Sequence, residues 1–235
     1  SSSSRPCRPA AVEGLPAPGG PGPLEEVSGD GALRVAVLAS GNGSNLQALL
    51  DGPHARGTIA LVGVASDKPG ARALERAAAA GVATSVFPRS DYADRTTRDL
   101  AIAAWLRELG VELVVLAGYM QLLSGEFIRS FPNRIVNVHP ALLPSFAGLD
   151  AVGQAVAHGV RVTGVTVHFV DEGVDTGPIL LQEAVELTYT RPMEAVMAEI
   201  HAVEHRLLPR ALELIAAGRV SVDTENPRLV RIEGE

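Results

Sequence analysis

The stretch Leu33-Arg34-Val35-Ala36-Val37-Leu38-Ala39-Ser40-Gly41-Asn42-Gly43-Ser44-Asn45-Leu46 decides the fold. A short apolar run that breaks into a Gly-rich turn and then into helix-forming residues is the opening of a β-α-β unit. The same pattern repeats outward from it. Strands are expected at Ile59 to Ala65, Val82 to Phe87 and Leu113 to Ala117, and helices over Leu46 to Leu50, Ala71 to Ala80 and Asp91 to Leu109. Gly81 and Gly110 end the second and third helices. The apolar face of the third is read from Leu100, Ala103, Ala104 and Leu106, and Trp105 and Phe127 are assigned to helix packing. Farther on, Ile135 to His139, Val165 to Val170 and Ile179 to Glu186 read as strands. Met193 to Ala217 reads as a long helix that Pro209 should kink or divide. Strands rich in Val, Leu and Ala that alternate with helices predict an α/β fold, a doubly wound and mostly parallel sheet with helices on both faces.

The 235 residues are 46% hydrophobic with a mean hydropathy of +0.18, which is ample for one domain with a full core. Residues 1–30 are dominated by Ser, Pro, Gly and Ala and bury too little apolar area to offset their ordering entropy. They are expected to form a disordered N-terminal extension, leaving 31–235 as the folded domain. The net charge of -7 and pI near 5.4 argue against a surface that neutralises a phosphate backbone, so no nucleic-acid partner is expected. Cys7 is the sole cysteine, which excludes an intrachain disulfide or Cys-based metal site and fits a reducing compartment. No run approaches the roughly 18 to 20 apolar residues of a membrane span, and the N-terminus has no signal-peptide core. A cytoplasmic protein without membrane partners is the expectation.

Three segments carry chemistry. The loop Ser40 to Leu46 has the composition of an anion cradle, in which glycines let backbone N–H groups approach a phosphate at a helix start. It lacks the Lys-Ser/Thr of a P-loop and the third glycine of a dinucleotide fingerprint, although Asp67 after the second strand keeps a ribose-binding reading open. Gly118 to Ser124 follows the fourth strand, where open parallel sheets hold ligands; Met120, Leu122 and Leu123 could line a flat pocket or serve as ordinary core. In Ile135-Val136-Asn137-Val138-His139-Pro140, Asn137 and His139 are two apart and face one side of a strand. Val165 to Val170 leads into a loop with Asp175. If the two strands are neighbours, Asn137, His139 and Asp175 meet in a set suited to acyl or formyl transfer, with the carboxylate orienting the imidazole and the amide donating to an oxyanion. A structural hydrogen-bonding pair is the plainer alternative. His139, His168 and Asp175 lack helical ligand spacing, so no metal is expected. His168 is read as packing or hydrogen-bonding within its strand, and His54, His158 and His201 show no pattern.

Taken together, Ser40 to Gln47, Val115 to Met120, Asn137 to Pro144, and Gly164 to Phe169 with Asp175-Thr176-Gly177-Pro178 closely resemble the phosphoribosylglycinamide formyltransferases, folate-dependent enzymes of purine synthesis. The resemblance runs from about Leu33 to Gly218 and implies a formyltransferase-type, Rossmann-like fold. It implies transfer of a formyl group from the cosubstrate 10-formyltetrahydrofolate to the amine of glycinamide ribonucleotide, by a monomer or homodimer and without metal. Gly43, Ser44 and Asn45 would hold the ribonucleotide phosphate, and Glu204 would contact the same substrate near its ribose or amine. The folate would meet Arg95, Met120, Gln121, Leu122, Leu123, Asn137 and the loop Asp171, Glu172, Gly173, Val174 and Asp175. Asn137, His139 and Asp175 would be catalytic, with activity falling on the acid side as Asp175 and the substrate amine take up protons.

Two residues depart from the family pattern. Gln121 stands where an arginine is usual, which implies a lost cation near the folate, and Asp150 stands where a histidine is common. A formyltetrahydrofolate hydrolase and a catalytically weakened folate-binding homologue are the alternatives. The hydrolases carry an additional N-terminal domain and the tRNA-formylating relatives a C-terminal one, and neither is expected here.

Overall fold

Alternation along each strand sets two cores on opposite sides of one sheet. The computed structural model describes residues 31–234; the expectation for 1–30 lies outside them. In chain order the elements are β1 (Leu33–Leu38), α1 (Ser44–Leu49), β2 (Ile59–Ser66), α2 (Arg72–Ala79), β3 (Ala83–Val86), α3 (Arg95–Glu108), β4 (Leu113–Leu116) and α4 (Gly125–Ser130). Then follow β5 (Ile135–His139), α5 (Ala151–Ala157), β6 (Val162–Phe169), β7 (Ile179–Glu186), α6 (Met193–Ala216), β8 (Val220–Val222) and β9 (Val230–Ile232). The main sheet has seven strands in the order β3-β2-β1-β4-β5-β6-β7, and β8 and β9 form a separate hairpin. The strands from β3 to β5 run parallel, whereas β5 with β6 and β6 with β7 pair antiparallel. The strand order reverses between β1 and β4, so their carboxyl ends open a crevice of the kind that holds ligands in α/β sheets.

Val35 and Val37 point into a core shared with Leu46 and Leu49 of α1, Ala73 and Ala77 of α2, Val152 of α5 and the apolar stripe of α6. Ala36 and Leu38 point the other way, onto Ile102 and Leu106 of α3 and Phe127 of α4. Helices thus cover both faces, as the sequence predicts. Phe127 is fully buried and Trp105 packs 6.0 Å from Phe87, both in helix packing.

Two local expectations change. The buried face of α3 comprises Arg98, Asp99, Ile102, Ala103 and Leu106, while Leu100 is 38% exposed and Ala104 faces solvent. Arg98 and Asp99 tolerate burial because they neutralise each other at 2.8 Å. Pro209 does not divide α6, which runs unbroken past it; its neighbours Leu207, Leu208, Ala211 and Leu212 are buried, and that packing outweighs the missing backbone hydrogen bond.

The strands that matter most are β5 and β6. Val136, Val138, Val165, Val167 and Phe169 face the α6 core. Asn137, His139, Thr166 and His168 alternate with them and so face the opposite side, with Asn137 paired to His168 and His139 to Thr166 across the ladder.

Candidate active site

The antiparallel register of β5 and β6 builds the cluster. It sets Asn137 beside His168, and the loop after β6 folds back over this face to bring Asp175 to both strands. Asp175 Oδ2 accepts a 2.8 Å hydrogen bond from the Gly148 N–H and lies 3.4 Å from His139 Nδ1. Its Oδ1 accepts from Asn137 Nδ2 at 3.3 Å and lies 3.5 Å from His168 Nε2. Because a carbonyl only accepts, the 2.9 Å contact to Phe146 O makes His139 Nε2 a donor. Nδ1 is then the ring nitrogen free to exchange a proton, and it faces the carboxylate. By the same logic His168 donates from Nδ1 to Phe169 O at 2.8 Å, while its Nε2 accepts from Asn137 at 3.1 Å when the ring is neutral and donates to Asp175 when it is protonated.

The backbone that delivers the carboxylate is tightly constrained. Asp175 adopts φ 52°, a left-handed conformation that costs energy unless its surroundings enforce it. Two residues on, a side chain at Gly177 would put its Cβ 1.9 Å from Phe169 O, so only glycine lets the loop close against the end of β6. Burial alone pushes the Asp175 carboxyl up. The hydrogen bonds from His168 and the Gly148 N–H, with the charges of His139 and His168, outweigh it and leave the group below its ordinary value. The expected acid-side loss through Asp175 therefore moves below the ordinary carboxylate range. The substrate amine, with a reference value of about 8, still produces such a loss on its own.

One cavity of about 1110 Å³ includes every residue that the resemblance assigns to catalysis or binding. The Gly43 loop forms one wall. Gly43 has φ 70°, and a Cβ there would come within 2.8 Å of Ala73. Asn45 Nδ2 donates to Glu204 Oε2 at 3.0 Å, tying the loop to α6. Glu204 is 7% exposed, and burial raises its pKa against the pull of the Asn45 amide and the His201 charge. A raised carboxyl destabilises the fold once it ionises, because stability falls as pH rises through the folded value. The Asn45 Oδ1 is buried without a partner among the described residues, and a glutamine NH₂ at 204 could donate to it. Glu204→Gln is therefore expected to stabilise the protein by about 0.5 to 2 kcal/mol in thermal denaturation at neutral pH. The same variant should raise the KM of a substrate that donates to this carboxylate by roughly 10- to 100-fold. An unchanged or lower melting temperature would count against the strained-carboxylate account.

The Met120 segment forms another wall, and here the core alternative fails for part of it. Met120 is 58% and Leu122 60% exposed in the cavity, whereas Leu123 packs on the α3–α4 core. The segment is held from below: Met120 N donates to Ser40 Oγ at 2.9 Å, and Ser124 N to Asp99 Oδ2 at 2.6 Å. Gln121 accepts at Oε1 from Arg98 at 3.1 Å and donates from Nε2 to Asp67 at 3.0 Å. Gln121 thus bridges the buried Arg98, whose charge Asp99 neutralises, to Asp67, and brings no net cation to this corner. Asp67, read as a ribose ligand in the nucleotide alternative, accepts here through Oδ2, while its Oδ1 is buried without a partner among the described residues. Arg95, at the start of α3, lines the cavity beside Met120, Gln121 and Leu122. Val174 is 47% exposed there, and Glu172 pairs with Arg129 of α4. Asp150 caps α5, accepting from the Gly153 N–H at 3.2 Å.

Two cavity residues do more than the sequence reading gives them. His168 hydrogen-bonds within its strand, as expected, through Nδ1 to Phe169 O, and its Nε2 also faces Asn137 and Asp175. The signal that could have found it is the polar alternation of Thr166 and His168 within Val165, Val167 and Phe169. His201 lines the cavity one turn from Glu204, stacked 6.3 Å from His205. Among the described residues no group of three His, Cys, Asp or Glu side chains could hold a metal ion, and no helix is long and apolar enough to cross a membrane.

An α/β sheet that brings Asn, His and Asp together on one face suits acyl or formyl transfer. Residues 33–212 match the formyl transferase family, and the chain belongs to it. It is 42% identical over 183 residues to the phosphoribosylglycinamide formyltransferase of Bacillus subtilis, covering 77% of this chain and 93% of that protein. The crystal structure of glycinamide ribonucleotide transformylase 1 from Symbiobacterium toebii superposes with a TM-score of 0.81 at 48% identity, over 86% of this chain and 94% of that one. The chain is also 44% identical over 191 residues to the trifunctional purine biosynthetic protein adenosine-3 of Gallus gallus, which covers 81% of this chain and 19% of that longer protein. It spans about a fifth of the length of that relative.

Proposed function

We propose that this chain transfers the formyl group of 10-formyltetrahydrofolate to the amine of glycinamide ribonucleotide, a step of purine biosynthesis. The observation that carries the reading is the Asn137–His139–Asp175 cluster within a single cavity whose Gly43 wall is tied to α6 and whose Met120 wall is tied to α3. Gly43, Ser44 and Asn45 supply backbone and side-chain donors for the ribonucleotide phosphate, and Glu204 accepts from its ribose or amine. The exposed apolar surfaces of Met120, Leu122 and Val174 suit the flat ring of a folate, with Arg95 on the same side.

The substrate amine attacks the formyl carbon directly. His139 acts in its doubly protonated form, with Nε2 held on Phe146 O and Nδ1 donating to the oxygen as it gains negative charge beside the Asn137 amide, and Asp175 stabilises the imidazolium. Collapse breaks the bond from the formyl carbon to N10 of the folate. The proton lost by the amine is relayed past Asp175 to that nitrogen, so charge balances without a covalent enzyme intermediate. Holding both substrates in one cavity converts a bimolecular encounter into an oriented one.

Turnover of 10-formyltetrahydrofolate with and without glycinamide ribonucleotide tests this. Loss of the formyl group only when the ribonucleotide is present, with formylated ribonucleotide as product, is the expected result. Release of formate without the ribonucleotide would instead identify a hydrolase. Folate binding with no turnover at all would identify a catalytically weakened homologue.

A further inference from the structure

The catalytic loop is held from a direction that the cavity does not include. The family match ends at residue 212, and the β8–β9 hairpin lies beyond it. Val222, Val230 and Ile232 pack this hairpin against the α6 core, so it is anchored to the body of the domain. Its turn is rigidly built. The Asp223 carboxylate accepts from the Glu225 and Asn226 N–H groups at 2.9 and 2.8 Å and from Arg231 Nε at 2.7 Å. Asn226 Oδ1 accepts from the Arg228 N–H at 3.1 Å, which fixes the residue at the tip. From there Arg228 Nη1 donates to the Thr176 carbonyl at 3.1 Å. That carbonyl follows directly on Asp175, whose left-handed backbone persists only where neighbours enforce it. The Asp171 carboxylate, accepting from Gly173 N and Thr176 Oγ1, ties the loop only to itself. Arg129 reaches it through the exposed side chain of Glu172. Arg228 grips the backbone next to the catalytic carboxylate.

We propose that Arg228 is a positioning residue, and that the β8–β9 hairpin is a brace that holds the Asp175 loop in its reactive geometry. The role in turnover rests on the formyl-transfer reading; the brace itself does not. Arg228 is exposed and its removal threatens no core packing, so the variants should fold.

The test is hydrogen exchange on the intact chain, without substrates, for wild type, Arg228→Ala and Arg228→Lys. In Arg228→Ala the peptide spanning residues 170–178 should exchange about tenfold faster, while β8 and β9 keep their protection. With both substrates, its kcat should fall about 3- to 10-fold with the ribonucleotide KM unchanged, since the Gly43 loop and Glu204 do not touch the hairpin. Arg228→Lys, which keeps a donor, should recover most of both effects. Unchanged exchange in 170–178 overturns the brace. Faster exchange with unaltered kcat overturns the positioning role. A wild type that transfers no formyl group defeats the functional reading alone, and the exchange result still decides the brace.

Discussion

Asparagine in place of Asp175 is expected to cut turnover by roughly 100- to 10,000-fold, the range for removal of a general acid–base group. Asparagine accepts the left-handed backbone at this position more readily than most residues, so the loop geometry is retained and the chemistry is what changes. The carboxylate now accepts from Gly148 N and Asn137 Nδ2 and faces both imidazoles. An amide can accept at one atom only. Its NH₂ would be turned toward either Gly148 N or Asn137 Nδ2, donor against donor, and it offers no charge to a protonated His139. The pH profile adds a second readout. Because Asp175 is held below its ordinary value, its protonation falls on the acid side of that value, and a substrate amine with a reference value of about 8 keeps its own acid limb whether or not the carboxylate is present. The variant should therefore lose amplitude without losing that limb. A kcat within threefold of wild type would remove Asp175 from the reaction.

His139→Ala is expected to lower kcat by roughly 100- to 1000-fold, the loss typical of one donor to a developing oxyanion. His139 is 5% exposed and its ring is fixed by Phe146 O, so it reaches the transition state already oriented. The effect should fall on kcat more than on either KM, because the ring meets the formyl oxygen fully only once charge develops there. Substrate KM values rising with kcat unchanged would assign His139 to binding instead. Steady-state kinetics in both substrates separates the two.

The sequence made some of this site legible and hid the rest for identifiable reasons. The spacing of Asn137 and His139 follows from strand geometry alone, and the structure keeps both on one face. Asp175 was readable only through the loop motif, since no periodicity links it to residues on another strand. His168 hydrogen-bonds within its strand as read, and its further contact, across to Asn137, is hidden until the register is known. The α3 face was misread at Leu100 and Ala104 because charged residues are rarely buried, and only the pairing of Arg98 with Asp99 reverses that rule. The same pair anchors Gln121: a single sequence does not show that its side chain bridges the buried Arg98 to Asp67. The parallel strands, by contrast, were plain from composition, and the reversal of β6 and β7 emerges only from pairing.

The order of the sheet bears on how this chain assembles. Pairing β1 with β4 must bring Leu38 and Leu116 together across the intervening α1–β2–α2–β3–α3 segment, whereas β5 reaches β6 across α5 alone and β7 follows β6 directly. Each doubling of a closed loop adds about 0.6 kcal/mol of entropic cost, so the β5–β7 meander carries the lower closure penalty. Local pairings are also the ones that form fastest. The consecutive pairs close across shorter segments, β6 with β7 above all, and the crevice between β1 and β4 is completed by the costlier long-range closure.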